Sequence, residues 1–293
     1  MKLSSGDRIF TLFIYMFLIG LMVIVMYPLL FVAIASISDA NAILRGEVWL
    51  WPKGLHLEGY KMVLTDRDVL VGYGNTIFYT VAGTAINIVL TVCAAYPMSR
   101  RMLPGRNLLT LFLVFTMFFS GGLIPTYLLV KDLGMLNTAW AMLLPSAISV
   151  WNIIIMRTFF QSSIPGEIQE SAEIDGCSEL KILIKIVLPL SMPIIAVMIL
   201  FYSVGHWNAY FNALIYLSDR AKFPLQLFLR EMLVQDQMTE SISYLDKDLI
   251  NQMMNVETAK YAAVIIANLP IFMLYPFLQK YFTKGMMIGA IKG

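Results

Sequence analysis

Charge is scarce in this 293-residue sequence: Asp, Glu, Lys and Arg make up 14% of it, against 59% apolar residues and a mean hydropathy of +0.73. No soluble domain needs that much apolar sequence, so the chain reads as an integral membrane protein. The net charge is only +2 and no basic cluster carries interleaved aromatics, which excludes nucleic acid as a partner. HExxH, CxxC, GxGxxG and GxxxxGK[ST] patterns are all missing. No catalytic residue, metal site or cofactor is therefore expected in the chain, and it has no Walker motif to bind ATP. The 2 cysteines, Cys93 in an apolar run and Cys177 in a polar stretch, are not expected to pair. The long apolar runs also lack ionisable groups, which weighs against an ion-coupled pathway. His206 is the exception, and a lone histidine beside Trp207 and Asn208 is more often hydrogen-bonded structure than a relay.

What the sequence does have is a series of long charge-free runs. Ile9 to Ser38 exceeds a signal-peptide core and follows a short basic start, so an uncleaved first span is expected. Asp39 to Asp68 is polar and holds Trp49 and Trp51, aromatics suited to a membrane interface. Val69 to Ser99 is the second run, closed by Arg100, Arg101 and Arg106, which the positive-inside rule puts in the cytoplasm. In the third, Asn107 to Val130, Gly121, Gly122 and Pro125 should bend or break the helix. Lys131 to Asn137 is a tight external turn, and Thr138 to Met156 is the fourth span, with Pro145 inside it and Arg157 at its cytoplasmic mouth. Leu190 to Ser218 and Thr258 to Gln279 are the fifth and sixth. Asp219 to Glu257 between them is long and polar, with Phe223, Pro224, Leu225, Leu227 and Phe228 as an apolar patch for a partner or for the membrane surface. The fold expected is all-α and polytopic, with about six spans in the cell (cytoplasmic) membrane and both termini cytoplasmic. Residues 1–68 form an N-terminal span with the first external loop, and 69–293 the main transmembrane domain.

Between the fourth and fifth spans lies a stretch that does not suit a membrane, IPGEIQESAEIDGCSELKILIKIVLPLSMP, residues 164–193. Pro165 suits a first helical position, and Glu167 and Glu170 complement the positive end of a helix dipole. Ile168, Ala172 and Gly176 fall on one stripe, with Glu167, Gln169, Glu170 and Glu173 on the polar remainder. Gly176, after Asp175, is the natural left-handed stop. Ser178 then caps a second short helix with Lys181 and Lys185, which Leu188-Pro189 ends. The spacing Glu170-Ser171-Ala172, three residues, Gly176, nine residues, Ile186, one residue, Leu188-Pro189 resembles the EAA-loop signature of permease subunits of bacterial ATP-binding-cassette importers. Ser171 replaces the first alanine of that signature. An ordinary amphipathic surface helix is the other reading of the same stretch.

The runs Gly121 to Thr138 and His206 to Tyr210 resemble the smaller permease subunit of the carbohydrate-uptake, maltose-type importers, and the tail at 283–293 is similar to that group's glycine-rich C-terminal tail. The resemblance implies a cytoplasmic coupling helix, with Glu167, Glu170, Ser171, Ala172, Asp175, Gly176, Ile186, Leu188 and Pro189 facing an ATPase. It also implies a heterodimer with a second permease, two ATPase subunits that bind the ATP, an extracellular solute-binding protein, and a sugar or oligosaccharide as cargo. Neutral polar and aromatic residues in the spans suit a sugar, above all Trp207, Asn208, Tyr210 and Asn212; helix packing would use the same residues. A secondary carrier or a channel for a neutral solute is the alternative class. A lipid-modifying enzyme lacks the clustered carboxylates or histidines it would need.

Overall fold

The computed structural model describes residues 5–240, 257–274, 276 and 279, with the backbone alone over 233–240. The expectations for the C-terminal tail and for 241–256 lie outside the described residues. Every regular element described is helical. The described residues fall into two compact units, one drawn from Met1–Arg67 and Leu229–Leu269, the other from Asp68–Phe228 and Pro270–Gly293. The described residues of 229–269 thus group with the N-terminal part rather than with the rest of 69–293.

The first unit is organised on α1 (Ser5–Ala35), whose 31 residues reach about 45 Å, more than a ~30 Å hydrocarbon layer requires. Its apolar side chains are exposed nearly all round, as a lipid-facing helix allows. Two short helices follow, α2 (Ala40–Leu44), capped by the Asp39 carboxylate on the Asn41 and Ala42 amides, and α3 (Glu58–Thr65). Trp49 and Trp51 stay exposed between them. α14 (Leu225–Glu240) supplies residues from Leu229 onward, and α15 (Glu257–Leu274) as far as Leu269. Ser36 and Tyr60 share a hydrogen bond of 2.8 Å, Phe31 meets Tyr261 edge-on at 6.0 Å, and α3 approaches α15 so closely that a Cβ on Gly59 would lie 2.8 Å from the Thr258 carbonyl.

The second unit is built on α4 (Arg67–Ser99), which buries a line of small and polar residues including Gly72, Thr76, Gly83, Thr84, Asn87 and Thr91. Between helices in lipid the hydrophobic effect supplies little, so close approach and hydrogen bonds carry the packing. α5 (Arg106–Phe118) and α6 (Leu123–Asp132) are the expected third span, broken by 109° at the Gly121-Gly122 step, where Gly122 takes φ +88. The expected fourth span is interrupted: α7 (Ala139–Leu143) and α8 (Val150–Ser163) are separated by residues 144–149 around Pro145. The 14 residues of α8 reach only about 21 Å. Among the described residues three helices are long and apolar enough to cross a membrane, α1, α4 and α15, and two bent pairs satisfy the same test together.

After the loop helices, α9 (Gly166–Ile174) and α10 (Glu179–Ile182), the chain passes through a π-helical turn (Leu183–Val187) into α11 (Leu188–Leu190) and breaks at Ser191. The helix therefore does not end at Leu188-Pro189 as expected. The chain runs on through the wide turn, where the Leu188 amide donates to the Leu183 carbonyl, and the 81° bend comes at Ser191. α12 (Met192–Trp207) ends well before Ser218, and the remainder of the expected fifth span is a separate short helix, α13 (Phe211–Tyr216).

The segment from Asp219 forms a 3₁₀ turn (Arg220–Lys222) and then α14, which ends at Glu240. Its apolar patch is neither a partner surface nor a membrane surface in this chain. Phe223, Leu227 and Phe228 pack with Tyr79, Leu143 and Ala213 in a core of the second unit, and Leu225 is 1% exposed. Hydrogen bonds from α4 hold the segment there: Asn75 Nδ2 donates to the carbonyls of Ala221 and Phe223 at 2.8 and 3.0 Å, Tyr79 Oη to that of Lys222 at 2.9 Å, and the Leu225 amide donates to Thr76 Oγ1 at 2.8 Å.

Candidate functional site

The loop helix α9 is short, and its sequence explains both ends. Pro165 holds extended backbone (φ −58, ψ 134) and is the N-cap rather than the first helical residue, because the helix proper begins at Gly166. At the other end the amides of Gly176 and Cys177 close back on Glu173 and Ala172 carbonyls, and Gly176 takes φ +75. A left-handed φ favours glycine, so the stop is built in. Glu167, Glu170, Ser171 and Asp175 are exposed, as is Gly176, and a Cβ on Gly176 would meet nothing within 4 Å.

The buried face of α9 is Gln169 and Ala172, each 7% exposed, and not the stripe Ile168, Ala172, Gly176. The reason is Arg100, one residue past the end of α4, whose guanidinium donates to the Gln169 carboxamide and to the Glu173 carboxylate, and reaches Glu179 Oε1 at 3.1 Å. The Tyr96 hydroxyl donates to the other oxygen of Glu179 at 2.6 Å. One arginine thus clasps α9 and α10 to α4. Burial works against its charge, but the carboxylates of Glu179 and Glu173 together with Tyr96 outweigh that, so the guanidinium is held charged more firmly than usual. Sequence reasoning used Arg100 only as an orientation signal and missed this role. Ile186 and Leu188 are half-buried against the core of the second unit, so they seat the loop rather than present it; Pro189 is exposed. Between the arginine turn and α9 a cleft of about 480 Å³ is lined by Arg101, Arg106, Glu167, Glu170 and Glu173 among others.

The residues nominated for a sugar path do not form one set. Trp207 is 5% exposed and meets Tyr73 edge-on at 5.7 Å. Asn208 caps α12, its Nδ2 donating to the Val204 carbonyl at 3.0 Å. Tyr210 is exposed and Asn212 half-buried. His206 is buried, its Nε2 2.6 Å from Asn87 Oδ1, and Asn87 Nδ2 donates to the Ser146 carbonyl at 2.7 Å. Thr91 and Tyr202 share a 2.7 Å hydrogen bond one turn further along α4, so most of the polar side chains in this seam are spent on packing. A cavity of about 590 Å³ in the second unit touches Trp207, Thr80, Thr84 and Ser203, but its walls are otherwise aliphatic. A sugar needs several converging polar groups, and this cavity does not offer them. Among the described residues no cluster of His, Cys, Asp or Glu suits a metal ion.

The geometry is that of a helical body with one polar, amphipathic loop helix clasped to it. Residues 2–288 match the family described as binding-protein-dependent transport system inner membrane component. Protein LplC of Bacillus subtilis (strain 168) is 43% identical over 290 residues, covering 99% of this chain and 97% of the relative. The polygalacturonan/rhamnogalacturonan transport system permease protein YtcP of the same organism is 41% identical over 292 residues, covering 98% and 99%. A chain in the crystal structure of a bacterial ABC transporter involved in the import of the acidic polysaccharide alginate matches with a TM-score of 0.86 at 32% identity, covering 96% of this chain and 99% of that one. The chain belongs to the family of binding-protein-dependent transport system inner membrane components.

Proposed function

We propose that this chain is one of two permease subunits of an ATP-driven importer for oligosaccharides, served by two cytoplasmic ATPase subunits and an extracellular solute-binding protein. The observation that carries the reading is α9, a solvent-exposed acidic helix stopped by a left-handed Gly176 and fixed to the end of α4 by Arg100. When the ATPase dimer closes, it pushes Glu167 to Gly176, and the Arg100 clasp passes that displacement to α4 and the spans packed on it, alternating the access of the path. The aliphatic cavity beside Trp207 supports a sugar path shared with the second permease rather than enclosed in this chain. The cargoes named for YtcP and for the alginate importer support an oligosaccharide, and fragments of those polymers are the first to try.

The test is co-expression of Glu170→Lys and Gly176→Trp chains with the neighbouring transporter subunits, reading both ATPase pull-down and oligosaccharide uptake. Loss of uptake with membrane insertion intact is expected. ATPase association and uptake both equal to the parent's would remove α9 from the coupling.

A further inference from the structure

Arg157 is the charged group that neither the loop nor the polar seam uses. It stands on α8, about 9 Å along the helix before Ser163, and is half-buried. Its Nη1 donates to Thr110 Oγ1 on α5 at 3.1 Å, while its Nε is enclosed with no acceptor. Among the described residues no carboxylate forms an ion pair with it, and the charged neighbour whose field it feels is another cation, Arg106, the first residue of α5. A half-buried guanidinium with no carboxylate beside it, in the field of a second cation, calls for an anion.

The space beside them has a shape that narrows the choice. An open groove of about 350 Å³ runs along α5, with Asn107, Thr110 and Arg157 at one end and Leu111 and Val114 at the other. No acidic side chain lines it. The outer face of α5 continues the apolar surface, with Leu108, Leu111, Phe112 and Phe115 all more than half exposed. A polar, cationic head and an apolar floor opening onto a lipid-facing helix match one amphiphile and no free solute.

We propose that this groove binds the phosphate headgroup of an anionic membrane phospholipid, with Arg157 holding the phosphate, the charge of Arg106 adding to the positive field there, and Leu111 and Val114 meeting the first part of an acyl chain. Guanidinium suits the role because its planar fork engages phosphate oxygens with two parallel bonds. A free phosphate shares the headgroup chemistry but makes no use of the apolar floor. The second permease is the other occupant that such a face admits.

The test is native mass spectrometry of the full-length chain in detergent, titrated with phosphatidylglycerol and with phosphatidylcholine of the same acyl chains. The parent should prefer phosphatidylglycerol, and Arg157→Gln should cut that preference about fivefold, the contribution of one cation near an anionic surface. Arg106→Gln, at the helix end, should lower the preference in the same direction by removing the second positive charge, and it covers the case in which Arg157→Gln does not fold. Inorganic phosphate in large excess should leave the lipid bound. Equal binding of the two lipids by the parent overturns the proposal, as does a preference unchanged in both variants. Release of phosphatidylglycerol by phosphate assigns a free-anion site, and a photo-crosslinker at Leu111 that captures the second permease in the assembled transporter assigns the groove to that subunit; either result overturns it too.

Discussion

Asn87 fixes the tautomer of His206. Because the Asn87 amide nitrogen is committed to the Ser146 carbonyl, its oxygen is the atom that faces His206 Nε2 at 2.6 Å, and a carboxamide oxygen only accepts. The proton therefore sits on Nε2, and the ring is pressed against α4 where Gly83 leaves room for it. A Cβ on Gly83 would come within 2.4 Å of His206 Cε1 and Nε2.

Gly83→Ala should accordingly destabilise the purified protein by about 1–3 kcal/mol, the range for overpacking. Gly74→Ala is the control, since a Cβ there meets nothing within 4 Å and helix propensity favours alanine. Thermal melts in detergent decide the matter. Equal melting of the two variants would mean that the His206 contact is not tight.

The Arg100 clasp predicts a coupling that a double-mutant cycle can read. Glu173 and Glu179 are 44% and 60% exposed at the side chain, so water screens them and the pairwise term between Arg100 and Glu173 should be only about 1 kcal/mol in stability. Transport should suffer more than stability in Arg100→Gln, because α9 stays helical but loses its tie to α4. Uptake that falls only in proportion to the amount of folded protein would mean the clasp is structural alone.

At Gly176 the cost of a side chain is conformational. Gly176→Ala should lose about 1 kcal/mol, since the backbone φ is +75 and space is open. Gly176→Asn should lose less, because asparagine tolerates the left-handed region. A Cβ there meets nothing within 4 Å, so loss of uptake in Gly176→Trp beyond its loss of folded protein points to a partner at that surface.

Asn137 is the non-glycine residue with positive φ among the described residues, at 57. Its side-chain oxygen accepts from the amides of Ser218 and Asp219 at 3.3 and 3.1 Å, and its carbonyl accepts from Lys222 Nζ at 2.9 Å. Asn137→Gly removes the acceptor but keeps the backbone freedom; Asn137→Ala removes both. Stability should fall in that order, by about 1 and about 2 kcal/mol. Hydrogen exchange at Ser218 and Asp219 should quicken in both, and unchanged protection there would refute the bonds.

Trp207 and Tyr210 separate packing from transport. Burial of Trp207 against Tyr73 predicts that Trp207→Ala loses about 3–5 kcal/mol of stability. Tyr210 is exposed, so Tyr210→Ala should melt like the parent, and a drop in its uptake would point to a solute or partner contact. Normal uptake by Tyr210→Ala leaves the path to be lined elsewhere.

The sequence alone determined what depends on local chemistry and on composition. Charge-free runs mark the membrane helices because each charge in lipid is costly, and α1 and α4 begin and end within a few residues of those runs. Gly121-Gly122 marks the break between α5 and α6, and Gly176 the end of α9, because a positive φ favours glycine whatever surrounds it. The loop signature was legible for the same reason.

Tertiary structure decided which of those residues face inward. Gln169 turned from surface to core because Arg100, 69 positions away, reaches over it, and no periodicity within α9 carries that information. Phe223 to Phe228 became core because Asn75, Thr76 and Tyr79 on α4 supply hydrogen bonds across about 150 residues. The aromatic and amide group at 207–212 came apart because α12 stops at Trp207, which leaves one tryptophan packed on Tyr73 and Asn208 and Tyr210 exposed. A partner supplied by a distant part of the chain changes the environment of a side chain without changing its neighbours in sequence, and so it becomes visible only once the helices are packed.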